Sequence, residues 1–242
     1  NLLDATDHWY LDLDDAADLA GLPDSAVELA RETAQAAGLP GWRFSLQAPS
    51  YLPFMMFADH RPLREKMYEA YVTRASDVGP DGGSFDNATL MVQILALRTE
   101  MAQLLGFASY AEYALEDRMA RSTQEVSDFL DRLSACAYAA AQHELEELHV
   151  FGASVHGEDN LQAWDIPYYS EKLKQSRFAF TDEQVRPYFP LPKVLQGLFG
   201  VTEKLFRVRI REAECKELWH DHVQFFELLD ASGSVRGCFF LD

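Results

Sequence analysis

Long apolar runs, paired cysteines and positive charge are what this sequence has least of. No stretch approaches the length of a membrane span, and no charged-then-apolar segment opens the chain. Cysteine occurs three times, as Cys136, Cys215 and Cys238, an odd number with no C-x-x-C spacing. That excludes a disulfide framework and a cysteine zinc site, and suits reduced thiols in the cytoplasm. Lysine and arginine total 21 against 39 aspartates and glutamates, so the formal net charge is -18. A surface this acidic is a poor partner for nucleic acid or an anionic membrane, both of which call for basic patches. Nucleophile elbows, phosphate loops and dinucleotide fingerprints are missing as well.

What is present reads mostly as helix. The stretch 22–41 carries a periodic apolar face, with Asp24 or Ser25 as a cap and Gly38 as a stop. An amphipathic helix over 61–76 places Leu63, Met67, Tyr68 and Tyr71 on one side. Further helices are expected over 87–105 and 109–119. Ser122 and Glu125 form a capping box that opens a helix to about 151. Its apolar stripe runs through Val126, Leu130, Leu133, Ala137, Ala141, Leu145 and Leu148. Asp165 is expected to cap the helix that begins at Ile166, with Pro167 in its first turn. Two β-prone runs around D-A-S-G-S, 230–234, predict a terminal hairpin. The fold class is mainly α, divided into a helical region, 1–207, and a small β-hairpin region, 208–242. The chain opens on Asn1 and stops on the strand-like GCFFLD, which leads to the expectation of an interior fragment of a longer protein.

Three stretches invite a chemical reading. HELEELH, 143–149, stands one letter from the H-E-x-x-H zinc helix, with Glu147 where a second histidine belongs. His143, Glu146, Glu147 and His149 nevertheless fall on the polar side of a long amphipathic helix, and a solvated face is the preferred reading. His220 and His222 could grip a metal from one side of a strand, but no third ligand stands nearby in sequence. WDIPYYSEK, 164–172, gathers Trp164, Tyr168 and Tyr169 at a helix start. These three are candidates either for the wall of a substrate channel or for structural anchors packed into the core. No residue is assigned a catalytic or metal-binding role.

Six ordered blocks carry a resemblance that spans essentially the whole chain. They are APSYLPFM (48–55), LREKMYEAYVTRAS (63–76), NATLMVQILALRTEMAQLLGFASYAEYAL (87–115), WDIPYYSEKLKQ (164–175), VRPYFPLPKVLQGLF (185–199) and GCFFLD (237–242). Together they resemble the thimet oligopeptidase and oligopeptidase A family of zinc metallopeptidases. The resemblance implies a mostly helical cytoplasmic metalloendopeptidase that cleaves short peptides in a channel between lobes. The chain would be part of its helical lobe, with a small C-terminal β-hairpin. It implies that zinc is the cofactor of the intact enzyme and that the family's H-E-F-G-H helix follows the strand matched by GCFFLD. The zinc site is then expected beyond Asp242, and this chain alone is expected to bind no metal and to be inactive. Relatives carry basic residues at the positions of His143 and His149 and an acidic residue at His222, which weakens the metal readings here, and a tyrosine at Phe240, a mild change at a packed strand. The alternative is a non-catalytic helical module that binds peptides or a protein. In either case the unpaired terminal strand is expected to promote self-association.

Overall fold

The computed structural model describes residues 1–215 and 217–242, with the backbone alone for 182 and 183. In chain order the elements are α1 (Leu2–His8), β1 (Tyr10–Leu13), α2 (Asp24–Ala36), β2 (Trp42–Ser45), α3 (Ala48–Phe57), α4 (Arg61–Val72), α5 (Ala88–Leu104), α6 (Tyr110–Leu115), α7 (Thr123–His156), α8 (Ile166–Phe178), α9 (Asp182–Val185), α10 (Leu191–Phe206), β3 (Arg209–Glu212), β4 (Gln224–Leu229) and β5 (Val235–Leu241). The fold is mainly α, as expected. The chain divides into two compact units, Asn1–Ala179 and Phe180–Asp242.

The first unit is organised around an apolar cluster that includes Leu11, Leu13, Phe44, Leu46, Phe54, Met55 and Met67. Leu11 and Leu13 alternate with exposed Tyr10 and Asp12 along β1, the period-2 pattern of a strand with one buried face. β1 pairs antiparallel with β2 from Tyr10↔Ser45 to Leu13↔Trp42. Arg43 ties the exposed side by donating from Nε to Asp12 at 2.7 Å. This two-stranded sheet is an addition to the sequence reading. Four-residue strands offer too short an alternation to stand out beside the helical periodicity around them.

α2 presents Ala26, Ala30 and Ala34 to the interior, a stripe of small residues that lets it lie close against its neighbours. Its cap position falls on Pro23 and makes no side-chain cap bond, so Asp24 is the first helical residue rather than the cap. Gly38 does stop the helix, at φ +70°. The capping box of α7 is half formed. Glu125 N–H donates to Ser122 Oγ at 3.1 Å, while the Glu125 carboxylate takes the N–H of Arg121 at 2.8 Å rather than that of Ser122. α7 continues to His156, five residues past the expected end, and closes on Gly157 in the left-handed conformation.

The second unit holds α10 and a three-stranded antiparallel sheet of order β3-β4-β5. The expected hairpin is β4–β5. Asp230 closes its turn by accepting from the N–H groups of Ser232 and Ser234 at 2.9 and 3.0 Å. Those bonds, led by the Ser232 hydroxyl at 2.6 Å, hold the Asp230 carboxyl at a pKa of about 2.

Gly41, at φ +75°, enters β2 directly behind the end of β1, where a methyl group would sit 2.3 Å from the Leu13 carbonyl oxygen. The Gly41→Ala variant is therefore expected to lose at least about 1–2 kcal/mol from the left-handed backbone alone, read as a lower urea midpoint. An unchanged midpoint would show that the β1–β2 junction relaxes freely.

Candidate functional site

The segment that begins QAWD folds into a short 3-10 turn over Ala163–Asp165 and runs directly into α8. Within the turn, Asp165 Oδ2 accepts the N–H of Gln162 at 3.0 Å. The side chain does not cap α8, contrary to the sequence expectation. It has a stronger set of partners. Arg61 Nε reaches both carboxylate oxygens at 3.0 Å, and Arg61 Nη2 donates to Oδ2 at 2.7 Å. Arg64 Nη2 donates to Oδ1 at 2.8 Å. The two arginines are three residues apart in the first turn of α4, so they project from the same side of the helix.

Asp165 is 0% exposed and Arg64 is 1% exposed. Burial by itself raises the pKa of Asp165. The donors from Arg61, the Gln162 backbone and Arg64 outweigh it and hold the carboxyl below its ordinary value. The same contact raises the pKa of Arg61. A buried carboxylate between two guanidinium groups stays ionised because each oxygen is satisfied.

Around this ion triad lies a cleft of about 470 Å³, lined among others by Asp59, His156, Glu158 and Lys172. Tyr168 and Tyr169 also line it, each 4% exposed. The Tyr168 hydroxyl donates to Asp59 at 2.8 Å, and Arg64 stacks its guanidinium 4.1 Å from the ring centroid. The Arg64 Nε–H is buried and has no hydrogen-bond partner among the described residues. Burial first, and then the bond to Asp59, push the Tyr168 phenol far up in pKa. Tyr169 is raised as well, by burial first and then by the charges of Asp165 and Glu158. Its hydroxyl lies 3.3 Å from His156 Nδ1. Arg61 bridges to Glu158 at 2.8 Å and Lys172 approaches Asp59 at 3.4 Å. Trp164 stands apart from this cleft. It packs half-buried against the N-terminal cluster, with its ring centroid 6.0 Å from that of Tyr68.

The charged groups of the cleft thus face one another in matched pairs, and the phenols stay protonated. The two phenols, held protonated, are not poised as nucleophiles or general bases. What the arrangement does is join the start of α4, the end of α7 and the start of α8. Sequence reasoning found Tyr168 and Tyr169 but not Arg61 and Arg64, whose R-x-x-R spacing in a helix start carries no signal until its acidic partner is located.

The remaining candidates lie elsewhere. On α7, His143 and Glu146 are exposed, and Glu147 is held by Arg177 of α8. His220 and His222 sit in a turn ahead of β4 rather than on a strand, with ring centroids 5.0 Å apart. Among the described residues, no group of three or more His, Cys, Asp or Glu could hold a metal ion. No described helix is long and apolar enough to cross a membrane.

Comparison with known proteins places the chain in a class. The model of Peptidase family M3 matches residues 54–242, and the chain belongs to that family. Among individual relatives, the whole chain aligns with oligopeptidase A of Escherichia coli K12 at 47% identity and covers 36% of that protein. Oligopeptidase A of Haemophilus influenzae matches at 46% identity with the same coverage. The organellar oligopeptidase A of Arabidopsis thaliana is 36% identical, with 31% of it covered. The chain therefore spans about a third of the length of these relatives.

Removing the charge at the centre of the triad is expected to be costly. Asp165→Asn leaves Arg64 buried without its counter-ion, a loss of about 3–5 kcal/mol, measured by urea unfolding at neutral pH. The pKa of Asp165 is lower folded than unfolded, so its stabilisation is complete above the ordinary value of 3.8 and is lost as pH falls through the folded value. Below about pH 4 the wild type should accordingly lose stability more steeply than the variant. Equal acid slopes would show that Asp165 does not carry the linkage.

Proposed function

We propose that these 242 residues are the helical part of a zinc-dependent oligopeptidase that hydrolyses short peptides in the cytoplasm. The observation that carries this reading is the alignment of the whole chain with oligopeptidase A at 46–47% identity. In this reading the helices over 1–207 form part of the wall of the peptide channel, and the region 208–242 lies beside the catalytic centre. Trp164, Tyr168 and Tyr169 serve chiefly as structural anchors, a role supported by the burial of both tyrosines against the Arg64–Asp165 pair. Nucleic acid and membranes are not its partners, a reading supported by the net charge of -18.

Zinc is the cofactor in this proposal, yet the described residues do not fit it, since they provide no set of three ligands. No chemical step is therefore assigned to this chain's own side chains. Metal and general base come from residues outside these 242. A quenched fluorescent peptide should be cleaved in a chelator-sensitive way by the intact protein from its native source, and not by the isolated chain with added zinc. Chelator-sensitive turnover by the isolated chain would overturn the assignment of the metal site, and an inactive intact protein would overturn the peptidase reading.

The isolated chain is also proposed to self-associate. β5 is an outer strand of its sheet, seven residues long, and the apolar side chains Val235 and Phe240 on it are exposed. Light scattering should give a mass that rises with concentration. A constant monomer mass would refute this.

A further inference from the structure

Within the second unit, α10 and the sheet flank a groove of about 580 Å³. Its apolar floor is Leu195, Phe199 and Phe226. Phe199 meets Phe226 edge-on at 5.1 Å, and Phe226 stacks on its cross-strand partner Phe239 at 5.3 Å, so the aromatic floor continues sideways onto β5. Two carboxylates, Glu203 on α10 and Glu212 at the end of β3, stand on its rim.

Among the described residues, neither carboxylate meets a cation. Glu203 accepts the N–H of Ile210 at 2.9 Å, and Glu212 accepts from Gln224 Nε2 at 3.2 Å. Two arginines of this unit are held by other acids, Arg211 by Glu227 and Arg236 by Asp230. An apolar floor with two unneutralised acids at its edge is complementary to a ligand that combines an apolar and a cationic side chain. Addition of a strand along β3 is blocked at Ile210, whose N–H is already taken by Glu203.

We propose that this groove binds a short peptide segment in which an apolar residue is followed by lysine or arginine, the apolar side chain on the phenylalanine floor and the cation between Glu203 and Glu212. Gln196 and Gln224, which also line the groove, supply amides for the peptide backbone.

The test is fluorescence anisotropy on the whole chain with two labelled pentapeptides that differ only at the centre, Leu-Lys against Leu-Glu. The lysine peptide should bind about fivefold more tightly at low ionic strength, and the difference should vanish at high salt. The double variant Glu203→Gln, Glu212→Gln should bind the two peptides equally, with far-UV circular dichroism reporting that it is folded. Equal binding of both peptides to the wild type, no binding of either, or a lysine preference that survives in the folded double variant would each overturn the proposal. The wild-type comparison decides the matter even where the double variant does not fold. Because the readout is binding without hydrolysis, its failure is distinct from failure of the peptidase reading.

Discussion

The first unit depends on one buried carboxylate. Asp165 sits with no exposure between Arg61 and Arg64, and those contacts span about a hundred residues of sequence. A buried ion group of this kind is weak as a source of net stability, because desolvation of each charge offsets most of the attraction. Its strength is geometric. A carboxylate that must satisfy Arg61, Arg64 and the Gln162 N–H at once admits one placement of α4 relative to the turn before α8. Tyr168 follows from that placement, since its ring lies under the Arg64 guanidinium and its hydroxyl on Asp59. Tyr169 then turns toward His156 at the end of α7.

Local signals carried much of the helical architecture. α5 lies within one residue of the span expected from its periodicity, with Gly106 just beyond its end. The Asp230 turn was legible because an aspartate followed by small hydroxyl residues can satisfy its own backbone. What stayed hidden was long-range. Arg64 reads as a polar position on an amphipathic helix, yet it is among the most deeply buried side chains, because its partner lies 101 residues away. The β1–β2 pair was missed for a related reason. Each strand has four residues, and only their mutual pairing distinguishes them from loop. At the candidate site, composition singled out the aromatic residues, whereas the charges that organise them came from another helix.

HELEELH illustrates how little a short motif weighs without its geometry. A zinc helix needs two imidazoles on one face aimed at a common point, and a third ligand brought there by another element. Here Glu147, in the place of the second imidazole, points at Arg177. The neighbouring element thus supplies a cation where a metal site would require a ligand.

The two sets of carboxylates in this molecule also differ in kind. In the cleft of the first unit every acid is answered: Asp59 by Tyr168 and Lys172, Glu158 by Arg61, Asp165 by two arginines. Such a site is electrostatically complete and gains little by admitting a charged ligand. In the groove of the second unit, the partners of Glu203 and Glu212 among the described residues are neutral donors, a backbone N–H and a side-chain amide. Neutral donors stabilise a carboxylate without cancelling its field. The unbalanced charge, rather than the larger number of ionisable groups, is what makes a surface selective. By that criterion the groove beside α10 is the one suited to a cationic ligand, whereas the charges at the start of α8 are already paired.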